Sequence, residues 1–188
     1  MDRDLVEGAI AGDRGAYTEL VRQSIDRSYA LAGLILRDPD RARDATQEAY
    51  VTAWRSLSSL RDPDRFDAWM RRLVVRACSQ AVRSEARHRH VDIAAIDLGG
   101  SMRVAIADST IDLATRDQLE RGFRRLKPDQ RAVLVLRHYL DLTIEETADA
   151  MGVPVGTAKS RLHRATSAMR AVLEADARAS RLAEGPVA

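Results

Sequence analysis

Apolar residues return at intervals of three and four along most of this chain, and the places where that rhythm stops divide it into segments. A short first helix is expected over residues 2–12. Tyr17, Leu20, Val21, Ile25, Tyr29, Ala32 and Ile35 or Leu36 mark one face of a second helix, from about Ala16 to Leu36. Asp38-Pro39-Asp40 breaks it. A third helix starts near Arg41 and ends near Leu57, with Ala45, Ala49, Tyr50, Ala53, Trp54 and Leu57 turned inward. Ser58 to Pro63 forms a loop. Phe66 then opens a long helix to about Arg87, with Trp69, Leu73, Ala77 and Ala81 inside. Four helices of these lengths can enclose one core.

From about His90 to Thr115 the period dissolves. Gly99-Gly100 and scattered Asp residues point to an interdomain linker, interrupted by short apolar clusters at Val91 to Ile96 and Val104 to Ala107. Helical spacing returns at Asp117, with Leu119, Phe123 and Leu126. Lys127-Pro128-Asp129 marks a break, and Asp129 stands where it can cap a helix from Gln130 to Tyr139. The expected fold is all-α, with two small helical domains joined by a flexible linker. The boundaries are residues 1–90 for the first domain, 91–116 for the linker and 117–175 for the second domain. A small, polar C-terminal tail at 176–188 is expected to fray.

Residues 141–165 are the most informative stretch. Thr143 and Glu146 have the spacing of a capping box, and Ile144, Ala148 and Met151 form an apolar face behind it. Gly152 ends that helix by taking positive φ, and Pro154 presets the start of the next one. There Ala158, Leu162, Ala165 and Met169 form the buried stripe, and Thr157, Lys159, Ser160, His163, Arg164 and Ser167 point outward. Charge is sorted between the two helices. Asp141, Glu145, Glu146 and Asp149 precede the turn, whereas Lys159, Arg161 and Arg164 follow it. Only the second helix suits a polyanion, which is the layout of a helix-turn-helix entering the DNA major groove. An ordinary helical hairpin with a solvated basic face explains the charges but not their agreement with capping, turn and apolar phase.

Composition agrees with a helical protein: 45% of residues are hydrophobic and only 4% aromatic. The formal net charge is only +2, so distribution matters more than the total. Residues 71–90 hold six Arg against Glu85 alone, residues 152–170 hold four basic side chains and no acid, and 91–117 holds five Asp and two Arg. Two basic segments flanking an acidic one suggest two DNA-facing modules on a tether. Cys78 is the single cysteine, so neither an intramolecular disulfide nor a cysteine-rich zinc site is possible, and its apolar neighbours mark it as a core residue. His88, His90, His138 and His163 make no metal site at a known spacing, and no cofactor is expected. The N-terminus carries no secretory signal and no apolar stretch approaches membrane-spanning length, so a cytoplasmic protein without membrane insertion is expected.

Three stretches together resemble one family. Residues 44–55, Asp-Ala-Thr-Gln-Glu-Ala-Tyr-Val-Thr-Ala-Trp-Arg, look like the core-binding helix in region 2 of bacterial sigma factors. Phe66-Asp67-Ala68-Trp69-Met70 and the Arg-rich helix after it look like the promoter-melting, −10-reading part of the same region. Leu126 to Arg131, followed by Thr143 to Ala165, looks like region 4. With two such units and a tether, the chain is similar to the extracytoplasmic-function (group IV) sigma factors, over about residues 10–90 and 117–175.

The resemblance implies roles by position. Asp44, Gln47 and Glu48, on the outer face of the third helix, would dock on the largest subunits of RNA polymerase core. Arg71, Arg72, Arg76 and Arg83 would meet the phosphates of the −10 strand as it opens. Trp69 would serve as a stacking platform there or as a core residue, and its phase with Leu73 favours the core. Arg76 and Gln80 stand where the family more often has Asn and Asp. At −35, Lys159, Ser160, His163 and Arg164 would face the groove, with Arg161 and Thr157 nearer phosphates; His163 fits a base, the backbone or water equally. The partners implied are polymerase core, promoter DNA and an anti-sigma factor that clamps both domains. A free-standing helix-turn-helix regulator is the alternative, although it would need neither the docking helix nor the second basic segment. Enzyme chemistry has little support, since the chain offers no Gly-rich phosphate loop and no nucleophile paired with a base.

Overall fold

The computed structural model describes residues 1–89 and 113–183, which form eight α-helices with short 3-10 and π-helical turns between them. Aspartates start the first three helices. Asp2 caps α1 (Arg3–Ile10) by accepting the Asp4 amide at 3.1 Å. Asp13 caps α2 (Arg14–Leu36) by accepting Gly15 N–H at 2.7 Å and Ala16 N–H at 3.2 Å. Asp38 does the same for α3 (Pro39–Ser56), with Pro39 in the first helical position. The Asp38-Pro39-Asp40 break is therefore also a start signal, and α3 begins two residues earlier than expected. Two 3-10 turns, Leu57–Ser59 and Pro63–Arg65, then lead into α4 (Phe66–Arg89).

The first core is built on Val6, Leu20, Ile35, Phe66, Val74 and Val75, all nearly or fully inaccessible. Its packing corrects the expected faces at three places. On α2 the inward positions next to Leu20 are Ser24 and Ser28, while Ile25 is 39% exposed. The reason is Tyr50 of α3, whose hydroxyl lies 2.7 Å from Ser24 Oγ and 3.0 Å from Ser28 Oγ; a buried phenol needs polar partners. On α3, Trp54 is 42% exposed rather than internal. Its indole packs on Tyr17, with ring centroids 4.8 Å apart, but Tyr17 is only four residues into α2 and little of that helix remains beyond it to cover the rest. On α4 the fully buried stripe is Phe66, Met70, Val74, Val75, Ala77 and Cys78, while Trp69 and Leu73 flank it half-buried. Trp69 packs at the edge of this stripe, its ring centroid 6.1 Å from that of Phe66.

In the second half, α5 (Leu113–Arg125) begins ahead of Asp117, so the last residues assigned to the linker are helical; the rest of that segment lies outside the described residues. α6 (Pro128–Leu134) starts at Lys127, whose N–H donates to Gln130 Oε1 at 2.9 Å; Asp129 lies in the first turn and is not the cap. A π-helical turn, Val135–Tyr139, continues it. α7 (Ile144–Met151) and α8 (Val155–Ala183) form the helix-turn-helix. α8 runs past the expected end near Ala175 because Asp176 is tied to α5: it accepts Arg121 Nε–H and Arg125 Nη1–H, each at 3.0 Å. A second apolar cluster of Leu126, Val133, Leu134 and Ala165 fills the space under α8.

The two halves also pack on each other. Ala132, Val135, Leu136, Leu142 and Ala150 share one buried cluster with Ile35, Val74 and Val75. Polar ties cross the same seam. Arg37, left-handed at φ 60° where α2 ends, pairs with Glu120 of α5, and Arg72 of α4 pairs with Asp149 of α7. Arg131 reaches from α6 to the end of α2. A fully buried leucine such as Leu136 contributes about 1.5–3 kcal/mol. An exposed ion pair such as Arg72–Asp149 contributes about 0–1 kcal/mol. Apolar burial therefore holds the seam, and the charges set its register.

Candidate nucleic-acid and polymerase interface

Each residue proposed from the sequence as a contact stands at least partly open to solvent. Asp44, Gln47 and Glu48 are exposed on α3, on the face opposite Ala45, Ala49 and Tyr50. Helical geometry alone does this, because three- and four-residue steps put all three on one side. Trp54 continues the same face toward the C-terminus of α3, and its exposed indole is a feature the sequence reading missed. On α4, Arg72, Arg76 and Arg83 are exposed and Arg71 is half-buried. Arg76 and Arg83 have no carboxylate partner among the described residues, whereas Arg72 pairs with Asp149 and Arg71 lies close enough to Glu146 to stabilise its charge.

The helix-turn-helix forms as its sequence predicts. Thr143 N–H donates to Glu146 Oε2 at 2.8 Å, and Glu146 N–H donates to Thr143 Oγ1 at 3.2 Å. The Thr143 N–H and the Thr143 hydroxyl, the latter 2.9 Å from Oε2, both donate to the Glu146 carboxylate and, with a smaller contribution from Arg71, hold that carboxyl below its ordinary value. At the other end of α7, Gly152 adopts φ 63°, and the N–H of Val153 donates to the Ala148 carbonyl at 3.0 Å. This is the Schellman arrangement, which closes the tight turn before Pro154.

α8 then presents its first three turns. Lys159, Ser160, His163 and Arg164 are exposed, Thr157 and Arg161 are half-buried, and Ala158 and Ala165 are fully buried beneath them. Ser160 Oγ donates to the Thr157 carbonyl at 3.0 Å, and Arg164 Nε–H donates to the Ser160 carbonyl at 3.2 Å. A row of cations and hydroxyls on one exposed helical face has the dimensions and chemistry of a major-groove reader. The cations of α4 and α8 do not form one patch: acidic α7 packs against both helices and stands between them.

Among the described residues no cluster of three or more His, Cys, Asp or Glu side chains could hold a metal ion, and no helix is long and apolar enough to cross a membrane. Cys78 is buried, which pushes its thiol up to about 12. A groove of about 490 Å³ lies between α6 and the later turns of α8, lined in part by Leu134, His138, Met169 and Leu173.

An all-α pair of units with an exposed acidic and amide helix face, a basic helix and a helix-turn-helix is the layout of a promoter-recognition subunit. Comparison with known proteins places it. Residues 20–88 match the model for sigma-70 region 2, and residues 116–169 match that for sigma-70 region 4. The ECF RNA polymerase sigma factor SigM of Mycobacterium tuberculosis is 31% identical over 92% of this chain and 84% of its own. The RNA polymerase sigma-E factor of Streptomyces avermitilis is 34% identical over 87% of this chain and 89% of its own. The chain belongs to the ECF RNA polymerase sigma factors: it binds RNA polymerase core and directs promoter-specific initiation of transcription. In fold it is similar to the sigma factor RpoE of Bartonella quintana, solved with the anti-sigma factor NepR (TM-score 0.67, 21% identity, 85% of this chain and 98% of that one). It is also similar in fold to CnrH, solved with the cytosolic domain of CnrY (TM-score 0.60, 24% identity, 93% and 98%).

Proposed function

We propose that residues 1–90 form the unit that docks on polymerase core and manages the −10 element, and that the unit reading −35 occupies 117–175 together with the start of α5. Asp44, Gln47 and Glu48 contact the largest core subunits, with Trp54 as an aromatic anchor at the edge of that face. Arg71, Arg72, Arg76 and Arg83 neutralise phosphates of the strand that opens. Lys159, Ser160, His163 and Arg164 face the bases at −35, flanked by Thr157 and Arg161 on the backbone. The chain itself catalyses nothing, works in the cytoplasm and is controlled by an anti-sigma factor; RpoE was captured with such a partner.

The observation that carries the assignment is the sorting of exposed side chains, with acids and an amide on α3 and cations on α4 and α8. A free-standing operator-binding regulator has no use for the α3 face. Reconstitution with core polymerase on a candidate promoter, such as the one upstream of its own gene, tests this. Gln47→Ala with Glu48→Ala is expected to weaken core binding about tenfold or more with helicity unchanged. Unaltered core affinity removes the docking assignment. Tight binding to duplex operator without any core binding favours the regulator.

A further inference from the structure

The exposed side of α8 carries an apolar side chain and a glycine that the polar contacts assigned above do not explain. Val155, the first residue of the helix, is 36% exposed, and Gly156 beside it is exposed as well. A lone surface valine needs no explanation on most proteins. The place of this one does. Steps of four along a helix return to the same side, so Val155, Lys159 and His163 form one ridge with Val155 at its tip. Gly156 leads the neighbouring row, which runs through Ser160 to Arg164 along the middle of the exposed face.

The fold does not ask for a glycine here. A Cβ added to Gly156 would meet nothing within 4 Å, and its φ is not positive, so alanine would fit and would suit the helix better. The first turn is nonetheless held in place. The Pro154 carbonyl accepts the N–H of Thr157 at 2.9 Å and that of Ala158 at 3.0 Å, and Ala158 is fully buried. Valine is also stiff at χ1. The tip of this basic helix is therefore a fixed, uncharged surface, two methyl groups beside a bare stretch of backbone.

We infer that Val155 and Gly156 read a thymine at one edge of the −35 element. The Val155 methyls pack on the thymine C5-methyl, the apolar group that a base pair offers in the major groove. Gly156 supplies the clearance, since a side chain there would hold the middle of the face away from the base edges. The inference rests on reading α8 as the helix in that groove. It gives the site an apolar specificity that Lys159, Ser160, His163 and Arg164 cannot supply, because their polar groups seek hydrogen bonds.

The test uses holoenzyme reconstituted from core polymerase and the full chain. Duplexes randomised over the −35 element are selected for binding. Each thymine of the selected sequence is then replaced by deoxyuridine, which removes only the methyl group, and affinity is read by anisotropy. One replacement is expected to weaken binding about threefold. Val155→Ala is expected to bind the thymine duplex about threefold more weakly and to lose the thymine–deoxyuridine difference at that position. Gly156→Ala is expected to weaken binding about fivefold or more, with Tm unchanged or raised. A selected element without thymine, no sensitive position, or a sensitivity that Val155→Ala leaves intact overturns the inference. Unaltered affinity in Gly156→Ala overturns the clearance and the inference with it. Lys159→Ala with Arg164→Ala separates these outcomes from failure of the groove reading. If that variant loses discrimination at −35 while deoxyuridine has no effect, α8 lies in the groove and the thymine contact falls. If it binds and discriminates as the unaltered chain does, the groove reading falls and takes the thymine contact with it.

Discussion

Arg131 of α6 donates its Nε–H to the carbonyl of Ile35, 2.6 Å away and 96 residues earlier in the chain. The rest of the guanidinium spans the seam, with Nη1 donating to the Leu126 carbonyl at 3.0 Å and Nη2 to that of Leu36 at 3.4 Å. The residue is only 7% exposed. Its acceptors on the first half are carbonyls in the last turn of α2, which lack helical partners and carry the negative end of the helix dipole. A planar fork with five donors is suited to several carbonyls at once, so one side chain ties the end of α2 to α6 and to the end of α5.

Replacing Arg131 by Met keeps the stem and removes the fork. The variant is expected to lose about 2–4 kcal/mol in urea unfolding, since several buried carbonyls lose a charged donor together. Lysine is expected to recover less than half, because one ammonium cannot span Ile35 and Leu126 as the fork does. Amide exchange in the last turn of α2 and in α6 should accelerate together. Acceleration in α6 alone would mean that the seam does not depend on this side chain.

Arg164 is expected to discriminate at −35. Its Nε–H is engaged with the Ser160 carbonyl, so the two terminal nitrogens are the ones placed for a base edge. Arg164→Ala should cost about 1–3 kcal/mol on the preferred sequence and less on mismatched ones. Competition binding with duplexes varied through the −35 region measures this. A uniform loss on every duplex marks a phosphate contact instead.

The capping box makes α7 acid-sensitive. Bonds from Thr143, then the charge of Arg71, lower the Glu146 pKa from its ordinary 4.5. The folded state thus binds this proton less readily than the unfolded state. Its stabilisation is complete above pH 4.5 and is lost as pH falls through the folded value. Exchange of the α7 amides should accelerate across that interval, and Glu146→Gln should flatten the dependence. Thr143→Ala removes the cap acceptor and should cost about 1 kcal/mol at neutral pH.

Cys78 reports on unfolding. Burial pushes its thiol up to about 12 from an ordinary 9.0, so the folded protein holds no thiolate at neutral pH. A disulfide reagent such as DTNB should modify it only at the rate of opening, at least a hundredfold slower than in urea. The linkage runs opposite to that of Glu146. Stability from the neutral thiol is intact below pH 9.0 and declines as pH rises toward the folded value.

Features that depend on three or four neighbouring residues were legible in the chain. Thr143 with Glu146, Gly152 at positive φ and the outward phase of Lys159, Ser160, His163 and Arg164 are all local, and each stands as expected. Burial depends on what arrives from elsewhere, and there the reading slipped. Ile25 looked internal until Tyr50 required Ser24 and Ser28 beside it. Trp54 looked internal, but little of α2 extends far enough to cover it. The end of α8 looked frayed because Arg121 and Arg125, which bind Asp176, come from another helix.

The sequence by itself determined the helices, the two units and the family, because apolar period, caps, turns and motif spacing are properties of short stretches. It also determined which charges belong to which helix. Only the tertiary structure decided what those charges face. Arg131, unremarkable at the start of a helix, lies under the last turn of α2 because α6 is packed there. Asp149 meets Arg72 across 77 positions for the same reason. Side-chain chemistry is written in the chain, but the partner of a charged group is set by which surfaces apolar burial brings together.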